Sequence, residues 1–213
     1  LTTRGFRDIL EIGRGRLPAV LDLSWEKPPP LVPRNLRLEV IERIDGNGKV
    51  KEPLDHESVE IAVKNLLDEN IESIAVCLIN SPANPMHEIA VSKIIKNLAP
   101  NMPLSISSEV MPMYSEYERT SEVALNAYVM PLVKQYLTSL KQELKSIGIS
   151  APLYIMQSNG GMTTPENAMA RPIEIIECGP AAGVVGATRL SGHSDSSLIT
   201  FDMGGTTAKA SIV

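Results

Sequence analysis

Aromatic residues are scarce: Phe, Tyr and Trp together make up 4% of the 213 residues. So few rings cannot furnish the stacking platform on which single-stranded nucleic acids are held. The net charge of −5 removes the basic footprint that a phosphate backbone requires. No nucleic-acid partner is therefore expected. Cysteine is equally sparse. Cys77 and Cys178 lie in separate apolar segments without C-x-x-C spacing, which excludes a disulfide framework and a zinc ribbon and fits a reducing, cytoplasmic setting. The longest apolar run, Ile74 to Ile79, is far below the ~20 residues that cross a bilayer, so a soluble protein without membrane partner is expected. Familiar catalytic strings are missing too. His87-Glu88 opens an H-E-x-x-H pattern that Val91 breaks, and there is no G-x-S-x-G elbow.

What is present is ordinary globular composition, 43% hydrophobic and 21% charged, in a chain long enough for one or two domains. Thr2 to Ile12 reads as a short amphipathic helix capped by Thr2 or Thr3. Pro18, Pro28, Pro29, Pro30 and Pro33 then make Arg16 to Arg34 an extended covering arm. Leu36, Leu38 and Val40 alternate with polar residues before Asp45-Gly46-Asn47-Gly48, which predicts a hairpin returning through Lys49-Val50. Asp55 caps a helix whose apolar face is Val59, Ala62, Val63, Leu66 and Leu67. Ser73 to Ile79, a helix through Ile89 to Leu98 and a strand near Leu104 complete one βαβ unit. Glu116 to Ile147 carries a helical pattern that Pro131 should kink or split at Met130. Leu153 to Met156, a helix from about Pro180, and Leu198 to Phe201 continue the alternation of an α/β fold with a mostly parallel sheet. Lys209 to Val213 reads as the return arm of a hairpin. The start at Leu1 without Met and the stop at Val213 inside a strand read as an internal piece truncated at both ends.

Three glycine loops follow apolar runs: Ser158-Asn159-Gly160-Gly161, Cys178-Gly179-Pro180-Ala181-Ala182-Gly183, and Asp202-Met203-Gly204-Gly205-Thr206-Thr207. Loops at the carboxyl ends of strands are where open α/β sheets bind ligands, and glycine admits close approach. The third loop places a carboxylate at a strand end before Gly-Gly-Thr. Its N–H groups and hydroxyl suit phosphate, and Asp202 suits Mg²⁺ held partly through water. A plain hairpin turn is the bland alternative. Lys209 does not complete a Walker motif, which needs G-x-x-x-x-G-K-[ST] opening a helix. Gly179, Gly183 and Gly186 with Asp202 downstream also suggest a dinucleotide fingerprint, in the wrong spacing and with Pro180 in second place. For this loop, close packing of a small-residue helix is the bland alternative, and for the Asn159 loop a glycine turn. Glu116, Glu118 and Arg119 read as an exposed charge cluster, His56 and His193 as solvated, and Cys77 as a buried small hydrophobe.

Thr2-Thr3-Arg4-Gly5-Phe6-Arg7-Asp8, Leu31-Val32-Pro33-Arg34, Asn80 to Pro85, Ser108-Glu109-Val110, Glu116 to Thr120, Asn126 to Val129, Gln157 to Gly161, Gly179 to Gly183 and Phe201 to Thr206 stand in one order along the chain. In that order they resemble the hydantoinase A and 5-oxoprolinase family from end to end. The resemblance implies a ribonuclease H-like, actin-like ATPase core. Residues 1–110 would be the last part of the family's N-terminal region, and 111–213 the start of its ATPase domain. It implies ATP and Mg²⁺ as cofactors, with Asp202 as the catalytic, metal-holding carboxylate. Gly204, Gly205, Thr206, Thr207, Asn159, Gly160, Gly161, Gly179 and Gly183 would contact the nucleotide. It further implies a cyclic amide or ketone substrate, phosphorylated on its oxygen, and a hydantoinase B-like partner subunit or domain. A first phosphate hairpin and the adenosine segment would lie outside the chain, which would then be inactive alone. Many members carry an acidic residue where this chain has Lys209, and that leaves Lys209 open between phosphate contact and surface charge.

Overall fold

The computed structural model describes residues 1–15, 24–192 and 197–213. His193, part of the proline-rich arm and Pro18 lie outside them. The chain divides into two compact units, Leu1–Pro131 and Leu132–Val213.

The first unit is built on parallel strands. β1 (Thr2–Thr3) pairs with β2 (Glu39–Val40). A parallel bridge from Thr2 to Cys77 joins β1 to the chain leaving β5 (Ile74–Val76), and β5 pairs with β6 (Leu104–Ile106). The order is thus β2-β1-β5-β6. Thr2 and Thr3 are therefore not a helix cap. They are buried in the ladder, and α1 is the single turn Ile9–Ile12. Thr3 is held by more than backbone: its hydroxyl donates to Glu42 and accepts from Ile79 N at 3.0 Å. Glu42 in turn meets His87 Nδ1 at 2.7 Å, all three side chains being buried.

The predicted turn at Asp45 to Gly48 forms, but its first arm is β3 (Arg43–Ile44), paired with β4 (Val50–Glu52). Val40, expected in that arm, belongs to the parallel ladder instead, because its burial against the helices outweighs a local pairing. α2 (His56–Asp68) is capped by Asp55, whose carboxylate accepts from Glu57 N at 3.1 Å, and His56 at its start is exposed as read. α2 buries Val59, Ala62, Val63 and Leu66, and packs on α3 (Met86–Leu98). These side chains with Val40, Ile74, Val76, Leu78, Val91, Ile95 and Ile106 form the core. Each fully buried Val, Leu or Ile contributes ~1.5–3 kcal/mol of transfer free energy.

α4 (Ser107–Val110) is one turn, and α5 (Glu116–Ser146) runs unbroken through Pro131, where the two units meet in sequence. Proline costs α5 one hydrogen bond without ending it. Arg119 corrects the reading of an exposed charge cluster. It is fully buried, and its Nη1 donates to Leu78 O (2.9 Å), Ser107 Oγ (3.1 Å) and Ser81 Oγ. The Ser107 hydroxyl also reaches Glu88, likewise fully buried, which accepts from Leu78 N (2.8 Å), Ser107 Oγ (2.5 Å) and Ser108 N (2.8 Å).

In the second unit the described strands pair as antiparallel hairpins, so the parallel ladder is confined to the first. β7 (Ile155–Met156) pairs with β8 (Met162–Thr163). α6 (Pro165–Ala170) starts on the Thr164 cap, and after a 3-10 turn at Pro172–Ile175 comes α7 (Cys178–Ser191), two residues longer at its start than expected. β9 (Ile199–Met203) and β10 (Ala208–Ile212) form the predicted hairpin.

Candidate functional site

All three glycine loops belong to the second unit. The first is the β7–β8 turn, closed by Gln157 N to Gly161 O (2.8 Å) and Gly160 N to Gln157 O (3.0 Å). Gly160 adopts φ +84°, and a Cβ there would stand 3.0 Å from Val185 Cγ2 of α7. Conformation and close approach both require glycine at 160. The Asn159 carbonyl oxygen accepts from Gly161 N at 2.8 Å, so it serves its own turn. Ser158 ties this turn to the next loop, its amide donating to Glu174 O (2.7 Å) and its hydroxyl accepting from Glu177 N (3.2 Å). Gln157 Nε2 adds a bond to Glu174 Oε2 at 2.6 Å.

The second loop is the opening of α7, with Glu177 at its N-cap and Pro180 in its first turn. Gly179, Gly183 and Gly186 recur at helical spacing along one side. A Cβ at any of them would meet nothing within 4 Å. That open space does not support the reading of a small-residue helix packed tightly on a sheet.

The third loop closes the β9–β10 hairpin through Gly204 N to Thr207 O at 2.9 Å. In its register Asp202 pairs with Lys209 and Thr200 with Ser211. Partners across a ladder share a face, so these four polar residues stand together and Ile199, Phe201, Met203 and Ile212 stand on the other. A cavity of about 340 Å³ lies between hairpin and helix, lined by Pro180, Gly183 and Val184 of α7 and by Thr200, Asp202 and Lys209 of the hairpin. The structure thus brings Asp202 and Gly183 to one cavity. Gly204, Gly205, Thr206 and Thr207 form the exposed turn beyond Asp202, and Gly179, Asn159, Gly160 and Gly161 lie outside the cavity lining.

Glu177 escaped the sequence reading, yet it joins all three loops. Its amide holds Ser158, and its carboxylate pairs with Lys209. The available signal was its position directly before the helix-opening Cys-Gly-Pro. Chemically, the cavity offers one carboxylate, Asp202, and one cation, Lys209, which is paired with Glu177. Among the described residues no group of three or more His, Cys, Asp or Glu could cage a metal. The β9–β10 pairing is antiparallel, whereas a dinucleotide fold would follow α7 with a parallel strand. Among the described residues no helix is long and apolar enough to cross a membrane.

A family profile described as hydantoinase/oxoprolinase matches residues 119–213, and one for the hydantoinase/oxoprolinase N-terminal region matches residues 1–99. An uncharacterised protein of Methanocaldococcus jannaschii is 44% identical over all of this chain, which spans 32% of that protein. The caprolactamase alpha subunit of Pseudomonas jessenii is 31% identical over 97% of this chain and 30% of its own length. The crystal structure of that ATP-dependent caprolactamase superposes with a TM-score of 0.87 at 29% identity, over 99% of this chain and 31% of the other. A nucleotide-free acetone carboxylase, from a study of ATP-dependent acetone carboxylation, gives 0.85 at 27% identity over 99% and 31%. The chain therefore spans about a third of the length of these relatives.

Proposed function

The chain belongs to the hydantoinase/oxoprolinase family, and on that premise we propose that it supplies one wall of the nucleotide site of an ATP-dependent enzyme that activates a cyclic amide or a ketone. The observation that carries this reading is the cavity that Asp202 and Lys209 share with Gly183 of α7. A phosphate fits such a cavity because Lys209 and the positive end of α7, which begins beside Pro180, supply positive potential, while the absent Cβ of Gly183 leaves room for its oxygens.

In this reading Asp202 holds Mg²⁺, which neutralises phosphate charge when bound. The turn Gly204-Gly205-Thr206-Thr207 offers N–H groups and two hydroxyls to the phosphates. Gly179 and Gly183 admit them to the start of α7, and the Asn159-Gly160-Gly161 turn supports that helix from below its N-cap. The γ-phosphoryl group passes from ATP to the amide or enol oxygen of the substrate and ADP departs. Water, or a carboxylate equivalent, then adds to the activated carbon and phosphate leaves. The protein contributes position and charge compensation. A small cyclic amide is the substrate class named by the caprolactamase, and a ketone that named by the acetone carboxylase. The relative named as an alpha subunit supports a partner subunit, which this reading takes to be B-like, and turnover is expected of the assembly and not of these 213 residues alone.

The test is calorimetric titration of Mg-ATP and of NADH into the whole protein and its Asp202→Asn variant. Binding of Mg-ATP that weakens at least tenfold in the variant supports the reading. Equal affinity in both proteins, or NADH binding without Mg²⁺, overturns it and favours a dinucleotide or non-catalytic module.

A further inference from the structure

The turn between β7 and β8 contributes no residue to the cavity lining, yet its polar groups are committed to the segment that leads into α7. The Ser158 amide donates to Glu174 O (2.7 Å), Gln157 Nε2 donates to Glu174 Oε2 (2.6 Å), and the Ser158 hydroxyl accepts from the Glu177 amide (3.2 Å). The last of these bonds answers a need set by the helix start. An N-cap side chain ordinarily accepts from an amide two or three positions on, and an acidic residue at the third position reaches back to the N-cap amide. In α7 the third position is Pro180, which has no N–H to donate and no side-chain acceptor to return. Glu177 makes no side-chain cap bond, and the acceptor for its amide comes from Ser158 on another element. The Glu177 carboxylate is left to pair with Lys209, which lines the cavity together with its cross-strand partner Asp202.

Glu177 is thus held at its amide by Ser158 and at its carboxylate by Lys209. Lys209 is the only cation among the described lining residues, so a phosphate drawn to it must displace that carboxylate. We infer that Ser158 is a positioning residue of the phosphate site: by holding the Glu177 amide it keeps the carboxylate on Lys209 as an internal counter-ion, and so sets how tightly phosphate binds. The assignment rests on the nucleotide reading of the cavity and adds a control from outside it. Both members of the ion pair are exposed, so the control is moderate in size and screened by salt.

Mg-ATP is titrated calorimetrically into the whole protein and into its Ser158→Ala, Ser158→Thr, Glu177→Gln and Ser158→Ala, Glu177→Gln double variants, at low and moderate salt. In the same proteins without nucleotide, the rate at which acetic anhydride acetylates Lys209 is read by mass spectrometry. Ser158→Ala is expected to bind Mg-ATP ~2–3-fold more tightly at low salt, less so at moderate salt, and to change nothing once Glu177 is Gln. Lys209 is expected to be acetylated ~2–3-fold faster in Ser158→Ala, and Ser158→Thr, which keeps the acceptor, to match the unsubstituted protein. A merely structural role would weaken binding by the same factor in both Glu177 backgrounds. That outcome, an unchanged affinity, or an unchanged acetylation rate in Ser158→Ala overturns the inference. If Ser158→Ala fails to fold, Ser158→Cys, a weaker acceptor of similar size, takes its place. Failure of the nucleotide reading shows separately, as equal Mg-ATP affinity in Asp202→Asn, and acetylation of Lys209, which needs no nucleotide, still decides whether Ser158 acts through Glu177.

Discussion

Lys209 of β10 forms an ion pair with Glu177, the N-cap of α7, and so joins the strand opposite Asp202 to the helix whose Gly183 lines the same cavity. An incoming phosphate and the Glu177 carboxylate would compete for the same lysine. Lys209→Met is expected to weaken Mg-ATP binding ~2–5-fold, and Glu177→Gln to strengthen it by a similar factor, because exposed pairs of this kind are worth ~0.3–1 kcal/mol. Titration of both variants at low and moderate salt checks this. Equal affinities would return Lys209 to the class of surface charges.

Arg119 and Glu88 meet through the Ser107 hydroxyl in the interior of the first unit. Loss of either leaves Ser107 and the remaining buried side chain with an unfilled hydrogen-bond position. Arg119→Met should destabilise the protein by ~3–5 kcal/mol, and the Arg119→Met, Glu88→Leu double variant by less than the sum of the two single changes. Urea unfolding of the four proteins measures it; strict additivity would show that the two side chains do not interact.

The two cysteines should differ sharply in reactivity. Burial pushes the Cys77 thiol up, so little thiolate exists at neutral pH, and the residue is 4% exposed. Cys178 is partly exposed at the start of α7. Iodoacetamide at pH 8 is expected to label Cys178 and spare Cys77, and Mg-ATP to slow labelling of Cys178. Mass spectrometry of the labelled peptides gives the answer, and early modification of Cys77 would contradict the described packing.

Asp45 accepts from the amides of Asn47 (2.9 Å) and Lys49 (3.0 Å) inside the β3–β4 turn. The Lys49 amide, followed by the Asn47 amide and the charges of Lys51 and Lys49, holds its carboxyl below the ordinary carboxylate value. A depressed folded pKa means that the stabilisation is present above the unfolded value and disappears as pH falls through the folded one. Carboxyl carbon shifts followed by NMR should therefore show Asp45 titrating at lower pH than an unstructured aspartate, with the Asn47 and Lys49 amides moving in step. Asp45→Asn should abolish that linked movement.

Local signals were legible wherever neighbours in sequence decide the outcome. The Asp55 cap, the βαβ order of β5, α3 and β6, the Asp45 turn and the β9–β10 hairpin all rest on contacts within a few residues or on runs of apolar side chains. The same holds for the loop motifs that marked Asp202, Gly179 and Asn159. Contacts between distant segments were not legible. Thr2-Thr3 looks like a cap until Glu39-Val40 and Cys77 are placed beside it, and Arg119 looks solvated until Ser81, Ser107 and Leu78 surround it. Likewise Glu177 gains meaning only when Lys209, 32 positions away, is folded against it. By itself the sequence determined most helices and hairpins, the family motifs and the residue types of the proposed phosphate site. Only the tertiary structure decided which threonines are buried, which charges are paired, and that Asp202, Lys209 and Gly183 share one cavity, because burial and pairing depend on what lies across space and not along the chain.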